Sequence, residues 1–237
     1  MARTPNIQKG LDGVMVDETA ISRVVPETNS LTYRGYAVQD LCEHCCFEEV
    51  AYLLWNGELP TRSQLTKFSR DERARRELSR DHIAVIRKFP KRAHPMDTIR
   101  TAVSYLGTTE TAWGGEPEEN DRRRALDLLA KIPTMMASDY RFRKGKRRIA
   151  PRDDLSISEN FLRMCFGSVP PKEVVKAFDV SLILYAEHSF NASTFASRVV
   201  TSTMSDMYSA VTAGIGALKG PLHGGANEAV MHMMLEI

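Results

Sequence analysis

From Phe47 to the end of the chain, apolar residues return every three or four positions in one segment after another, a period that fits packed helices. In FEEVAYLLW, Phe47, Val50, Ala51 and Leu54 share one helical face, and Asn56-Gly57 supplies the stop. In HPMDTIRTAVSYLG, Pro95 suits a first turn, while Met96, Ile99, Val103 and Leu106 form the stripe. A longer pattern runs from Asp121 to about Phe142, with a bend expected near Pro133, where an interior backbone donor is missing. ISENFLRMCFG, PPKEVVKAFDVSLILYAEHS, TFASRVVTSTM, DMYSAVTAGIGALKG and ANEAVMHMMLEI complete the series. Only before residue 40 does the period change. There GLDGVMVDETAISRVV and LTYRGY alternate apolar and polar residues around PETNS, as a small hairpin does. The expected fold is all-α and multi-helical with a short N-terminal β-hairpin. Residues 1–40 form the N-terminal segment and 41–237 a helical large domain.

Lys and Arg total 32 against 30 Asp and Glu, a balance that argues against nucleic acid or a membrane surface as partner. MARTPNIQKGLDG lacks the apolar core of a signal peptide, and no segment has the apolar length to span a bilayer. A cytoplasmic location is expected. The string CEHCC places Cys42, Cys45 and Cys46 beside His44, but a structural zinc site draws further ligands from a second knuckle, and only Cys165 remains elsewhere. These residues read as reduced thiols near a helix start, with no metal.

Two charged strings differ in kind. RDERARRELSR mixes both signs at helical spacing and reads as a solvated helix face. RFRKGKRR, residues 141–148, carries six basic residues interrupted only by Phe142 and Gly145. Such a cluster can hold phosphate, or it can simply complement the dipole at a helix C-terminus. In DMYSAVTAGIGALKG, Ala210, Ala213, Gly214 and Ala217 leave one helix face almost without side chains. Interior glycine costs about 1 kcal/mol relative to alanine, so another backbone is expected to approach there, from this chain or a second subunit. A homodimer is expected.

Among the histidines, His44, His82 and His94 lie in polar or helix-end settings, and His232 sits among methionines; all read as structural or exposed. His188 ends the run SLILYAEH, directly before SFNAST, where Asn191 and Ser193 can cap the next helix. His223 lies in GPLHGG between two helices, where glycines let a ligand approach the backbone and the following helix offers free N–H groups. Two imidazoles at helix ends suit an anionic substrate that must be polarised.

The strings LTYRGY, FEEVAYLLWNGELPT, HPMDTIRTAV, EHSFNASTF and GIGALKGPLHGGANEAV resemble the citrate synthase family, in that family's order. EHCCFEEVA and YAEHSFNASTF resemble its 2-methylcitrate synthase branch. The resemblance implies a homodimeric, largely helical enzyme of a large and a small domain. Such an enzyme condenses oxaloacetate with an acyl-CoA, then hydrolyses the thioester to release CoA. The CoA thioester is then a substrate, and no permanently bound cofactor is implied. His223 matches the family histidine that hydrogen-bonds the thioester carbonyl, and His188 the one that binds oxaloacetate. By the same resemblance, Asn191 helps shape that site, Arg143 reaches the phosphates of CoA, and Arg62 is a further substrate contact. Family members also supply a second catalytic histidine, an aspartate base and carboxylate-binding arginines from later in their sequences. These have no counterpart here, and Glu228 reads as a first-turn complement to the helix dipole. The resemblance therefore implies a large domain without the small one, inactive alone. Propionyl-CoA and acetyl-CoA differ by one methylene, worth about 1–3 kcal/mol in an apolar pocket. The branch resemblance favours 2-methylcitrate; citrate, or a short relative that binds oxaloacetate or CoA without catalysis, stays open.

Overall fold

The computed structural model describes residues 17–110, 116–225, 231 and 233. Three short strands come first: β1 (Ser22–Val25), β2 (Ser30–Tyr33) and β3 (Tyr36–Ala37). They form one antiparallel sheet in the order β1-β2-β3, with Ser22 opposite Tyr33 and Val25 opposite Ser30. The expected hairpin thus gains a third strand. LTYRGY, which reads as one strand, is folded back at Arg34 and Gly35, both in the left-handed region at φ 49° and 91°. A two-residue turn of this hand matches strand twist.

Ten helices follow among the described residues: α1 (Val38–His44), α2 (Phe47–Asn56), α3 (Arg62–Arg73), α4 (Arg80–Lys88), α5 (Pro95–Thr108), α6 (Pro117–Arg143), α7 (Ile157–Phe166), α8 (Lys172–Leu184), α9 (Ala192–Thr201) and α10 (Met207–Leu218). Their starts follow the expected chemistry. Thr61, Ser79, Ser156, Asn191 and Asp206 each accept a backbone N–H of the first turn. Cys46 precedes α2 and donates its backbone N–H to Glu49 at 2.8 Å, so this thiol sits at a helix start. Burial pushes the Cys42, Cys45 and Cys46 thiols up. Helix α6 runs through Pro133 without ending there. The expected last helix, 226–237, lies outside the described residues apart from Met231 and Met233, both helical and exposed. No described helix is long and apolar enough to cross a membrane.

Two cores position the rest. One joins α4, α5, α6 and α10 through Ile86, Ile99, Val103, Leu128, Met135 and Tyr208. Buried beside it, His82 meets the edge of Tyr105, and burial pulls its pKa down to about 4. The other core joins the sheet to α1, α2 and α8 through Tyr33, Leu41, Val50, Leu53 and Ile183. Tyr33 is fully buried, and its hydroxyl donates to the Ile183 and Leu184 carbonyls at 2.9 and 3.2 Å, which closes the end of α8. Burial pushes this phenol up to about 12.

The string RDERARRELSR is not the solvated face its composition indicates. Helix α3 stops at Arg73, and Glu72 and Arg76 are 1% and 2% exposed. The Arg76 guanidinium donates to both Glu72 oxygens, at 2.6 to 3.1 Å, and to the Arg152 and Leu155 carbonyls at 2.8 and 2.9 Å. The pair therefore ties the 152–155 loop to the end of α3. Removing one partner of a buried ion pair costs about 3–5 kcal/mol, because the other charge is left stranded. Arg76→Met is expected to lose stability of that order in urea unfolding. Lys67→Met, which breaks an exposed bridge to Asp71, should cost under about 1 kcal/mol.

Candidate active site

Helices α9 and α10 pack against each other with no space for a side chain at Gly214. A Cβ built there would lie 2.6 Å from the Ser197 hydroxyl and 3.4 Å from the Ser193 carbonyl. Ser197 in turn donates to the Ala210 carbonyl at 3.0 Å, which bonds the two helices at the bare position. The small-residue face of α10 thus meets α9 of the same chain. Gly107 does the same for α5, where a Cβ would sit 2.9 Å from the Tyr208 Cβ.

Past α10 the chain turns back on itself. Backbone N–H groups of His223 and Gly225 donate to the Gly220 carbonyl, at 3.0 and 3.2 Å, and Gly224 donates to Leu218 at 3.0 Å. A side chain at Gly224 would stand 2.3 Å from the Leu218 carbonyl, so only glycine fits this wrap. His223 leaves the turn half-buried, and its Nε2 lies 2.7 Å from the Ser193 hydroxyl. Ser193 belongs to the first turn of α9, fixed by the Asn191 side-chain oxygen accepting from Thr194 N at 3.0 Å. The helix cap that the sequence indicates is therefore Asn191 alone. Ser193 instead holds the imidazole, a role with no local signal, since its partner is 30 residues away.

His188 stands exposed between α8 and α9. Its neighbours are pinned to the sheet: Ser22 Oγ donates to Glu187 at 3.1 Å and accepts from Ser189 N at 3.0 Å, and Ser189 is left-handed at φ 59°. Tyr33 and Ser22 together therefore fix where α8 ends and where His188 is presented.

Arg143 lies in the floor of a depression of about 550 Å³ lined also by Arg87, Lys91, Lys146, Arg147, Arg148 and Phe142. Its guanidinium is engaged within the chain. Nε binds Asp139 at 2.6 Å, and the other nitrogens donate to the Lys91 carbonyl at 2.9 Å, the Ala93 carbonyl and Thr98 Oγ1 at 2.8 Å. Arg87, Lys91, Lys146 and Arg147 are exposed around it, with the Arg87 guanidinium 4.9 Å above the Phe142 ring. Arg62 opens α3 on the exposed side of a helix that packs against α2 and α6. The fold brings Ser193 to His223 and sets His188 in the middle, and Asn191 at the end, of the short connection from α8 to α9.

Comparison with known proteins agrees with this architecture. The family described as citrate synthase, C-terminal domain, matches residues 10–237. A citrate synthase of Mycolicibacterium smegmatis is 60% identical over 236 residues, covering 100% of this chain and 63% of that protein. A 2-methylcitrate synthase of Mycobacterium tuberculosis is 59% identical over 237 residues, covering 98% of this chain and 59% of that protein. Among solved structures, the citrate synthase of Thermoplasma acidophilum, in ternary complex with carboxymethyl coenzyme A and oxaloacetate, superposes with a TM-score of 0.92 at 34% identity, over 99% of this chain and 61% of that one. The chain thus spans about three fifths of the length of these relatives.

The Gly214 contact makes a test of how the site is built. Gly214→Ala is expected to lose about 1–3 kcal/mol by overpacking. Adding Ser197→Ala should recover part of it by removing the clashing oxygen. Gly216→Ala, whose new Cβ would meet only Arg100 Cδ at 3.7 Å, should be neutral or gain up to about 1 kcal/mol of helix propensity. Urea unfolding of the variants checks all three.

Proposed function

The chain belongs to the citrate synthase family, and from that premise we propose that it is the large domain of an acyl-CoA condensing enzyme. The proposed reaction joins oxaloacetate to propionyl-CoA and gives 2-methylcitrate and CoA. The carrying observation is the 2.7 Å hydrogen bond between the Ser193 hydroxyl and His223 Nε2, in a turn that admits no side chain at Gly224. In this reading Ser193 donates into Nε2, and the imidazole carries its proton on Nδ1. That N–H is then a fixed donor for the thioester carbonyl as enol character develops, and a fixed donor stabilises charge that appears only during reaction. His188 binds oxaloacetate from the connection that Ser22 and Tyr33 hold in place, with Asn191 shaping the same connection and Arg62 as a further contact. The phosphates of CoA fall on the basic depression, with Arg143 at its floor. CoA enters as a substrate, and no resident cofactor or metal is invoked.

Proton abstraction from the acyl carbon requires a base within hydrogen-bond reach. Among the described residues, His223 has no carboxylate hydrogen-bonded to it. Turnover in this reading therefore needs a carboxylate from outside the described residues.

A homodimer in the cytoplasm is part of the same proposal. An apolar channel of about 350 Å³ between α6, α7 and α8, lined by Leu129, Ile132, Met136, Phe161, Phe178 and Leu182, supports a second copy as its cover. Sedimentation velocity should give a dimer that Met136→Glu converts to monomer; an unchanged dimer would place the contact elsewhere.

Citrate synthesis from acetyl-CoA is the second reading, favoured by the name of the 60% identical relative. Oxaloacetate is expected to raise the Tm of the wild-type chain but not that of His188→Ala; equal shifts would remove His188 from the site. Thiol release with each acyl-CoA decides the rest. A larger kcat/KM with propionyl-CoA supports 2-methylcitrate, and a larger one with acetyl-CoA supports citrate.

A further inference from the structure

The loop that carries His223 has a second anchor. Lys219 caps the C-terminus of α10, and its ammonium contacts both Asp97 carboxylate oxygens, at 2.7 and 2.8 Å. Arg100 adds a third contact to Asp97 at 3.0 Å. These cations hold the Asp97 carboxyl below the usual carboxylate range, the Lys219 hydrogen bonds most of all. Asp97 lies in the first turn of α5, where a negative charge also meets the positive end of the helix dipole.

The position of Lys219 gives this bridge its meaning. The wrap of the His223 turn closes on two carbonyls, Leu218 and Gly220, which are the two neighbours of Lys219. Whatever holds residue 219 holds the frame from which His223 hangs. In the same α5 turn, Arg143 binds Thr98 Oγ1 and, just before it, the Ala93 carbonyl, so the anchor point is itself braced. The imidazole thus has two supports. Ser193 fixes the ring from α9, and Asp97 fixes the base of the turn from α5.

We propose that Asp97 is a positioning residue for His223, acting through Lys219. It touches neither the ring nor a reactant; it sets where the turn begins. The pair is half-buried at the surface of the fold, where an ion pair contributes modestly to global stability, so its main effect is local. The consequence for catalysis rests on the reading of His223 given above. The geometry does not, and it can be measured without turnover.

The experiment follows the His223 Cε1–H signal across pH in the full chain, identified by its absence in His223→Gln. Ser193→Ala gives the signal of a ring that has lost its first support. Asp97→Asn is expected to move the His223 signal and its titration midpoint away from wild type, with at most a small fall in Tm. Asp97→Glu, which keeps the carboxylate for Lys219 and Arg100, should return the signal toward wild type. Asp154→Asn, which removes an unrelated surface bridge to Arg152, should leave it alone. Should Asp97→Asn fail to fold, Lys219→Met carries the same expectation. A wild-type His223 signal in Asp97→Asn, or in Lys219→Met where it takes that place, would overturn the proposal, as would a signal that Ser193→Ala itself does not move. Absence of CoA release would touch the functional reading only.

Discussion

The site depends on one close approach, the contact of α9 and α10 at Gly214. A Cβ there would force the Ser197 hydroxyl aside and stand in contact with the Ser193 carbonyl in the first turn of α9, so the two helices meet there with no space for a larger residue. That turn carries the hydroxyl that meets His223. Glycine in a helix interior sacrifices propensity, and here the loss is offset by a geometry that a larger residue excludes. A backbone contact in α10 thereby becomes a side-chain contact between two elements far apart in sequence.

The small sheet serves the other histidine. Its strands add little core of their own, but Tyr33 closes the last carbonyls of α8 and Ser22 holds both Glu187 and Ser189. The N-terminal strands thus act on a connection more than 150 residues later. Hydroxyls suit this work: that of Tyr33 satisfies carbonyls that the end of α8 leaves open, and that of Ser22 both donates and accepts within the connection. The two histidines are therefore held by different parts of the fold, His188 by the sheet and His223 by α5 and α9.

The helices were legible in the sequence because each has one apolar face and a chemically marked start. The third strand was not, since its turn puts an arginine, Arg34, in a left-handed conformation that usually marks glycine or asparagine. RDERARRELSR misled for a different reason. A Glu and an Arg four residues apart look alike whether they face water or, as Glu72 and Arg76 do, a loop that covers them. The His223 turn was visible through its glycines, while its partner was not, because Ser193 looks locally like any residue at a helix start. Arg143 shows the limit of counting charge: in sequence it belongs to a basic run, whereas in the fold its donors reach backbone carbonyls, Asp139 and Thr98.

A crystal structure of the chain with oxaloacetate and a non-hydrolysable acyl-CoA analogue is the most direct test of this account. It predicts the thioester-equivalent oxygen within hydrogen-bond distance of His223 Nδ1, with Ser193 still on Nε2 and an oxaloacetate oxygen on His188. An analogue bound away from the His223 turn, or a ring turned off Ser193 when the site is filled, would contradict it.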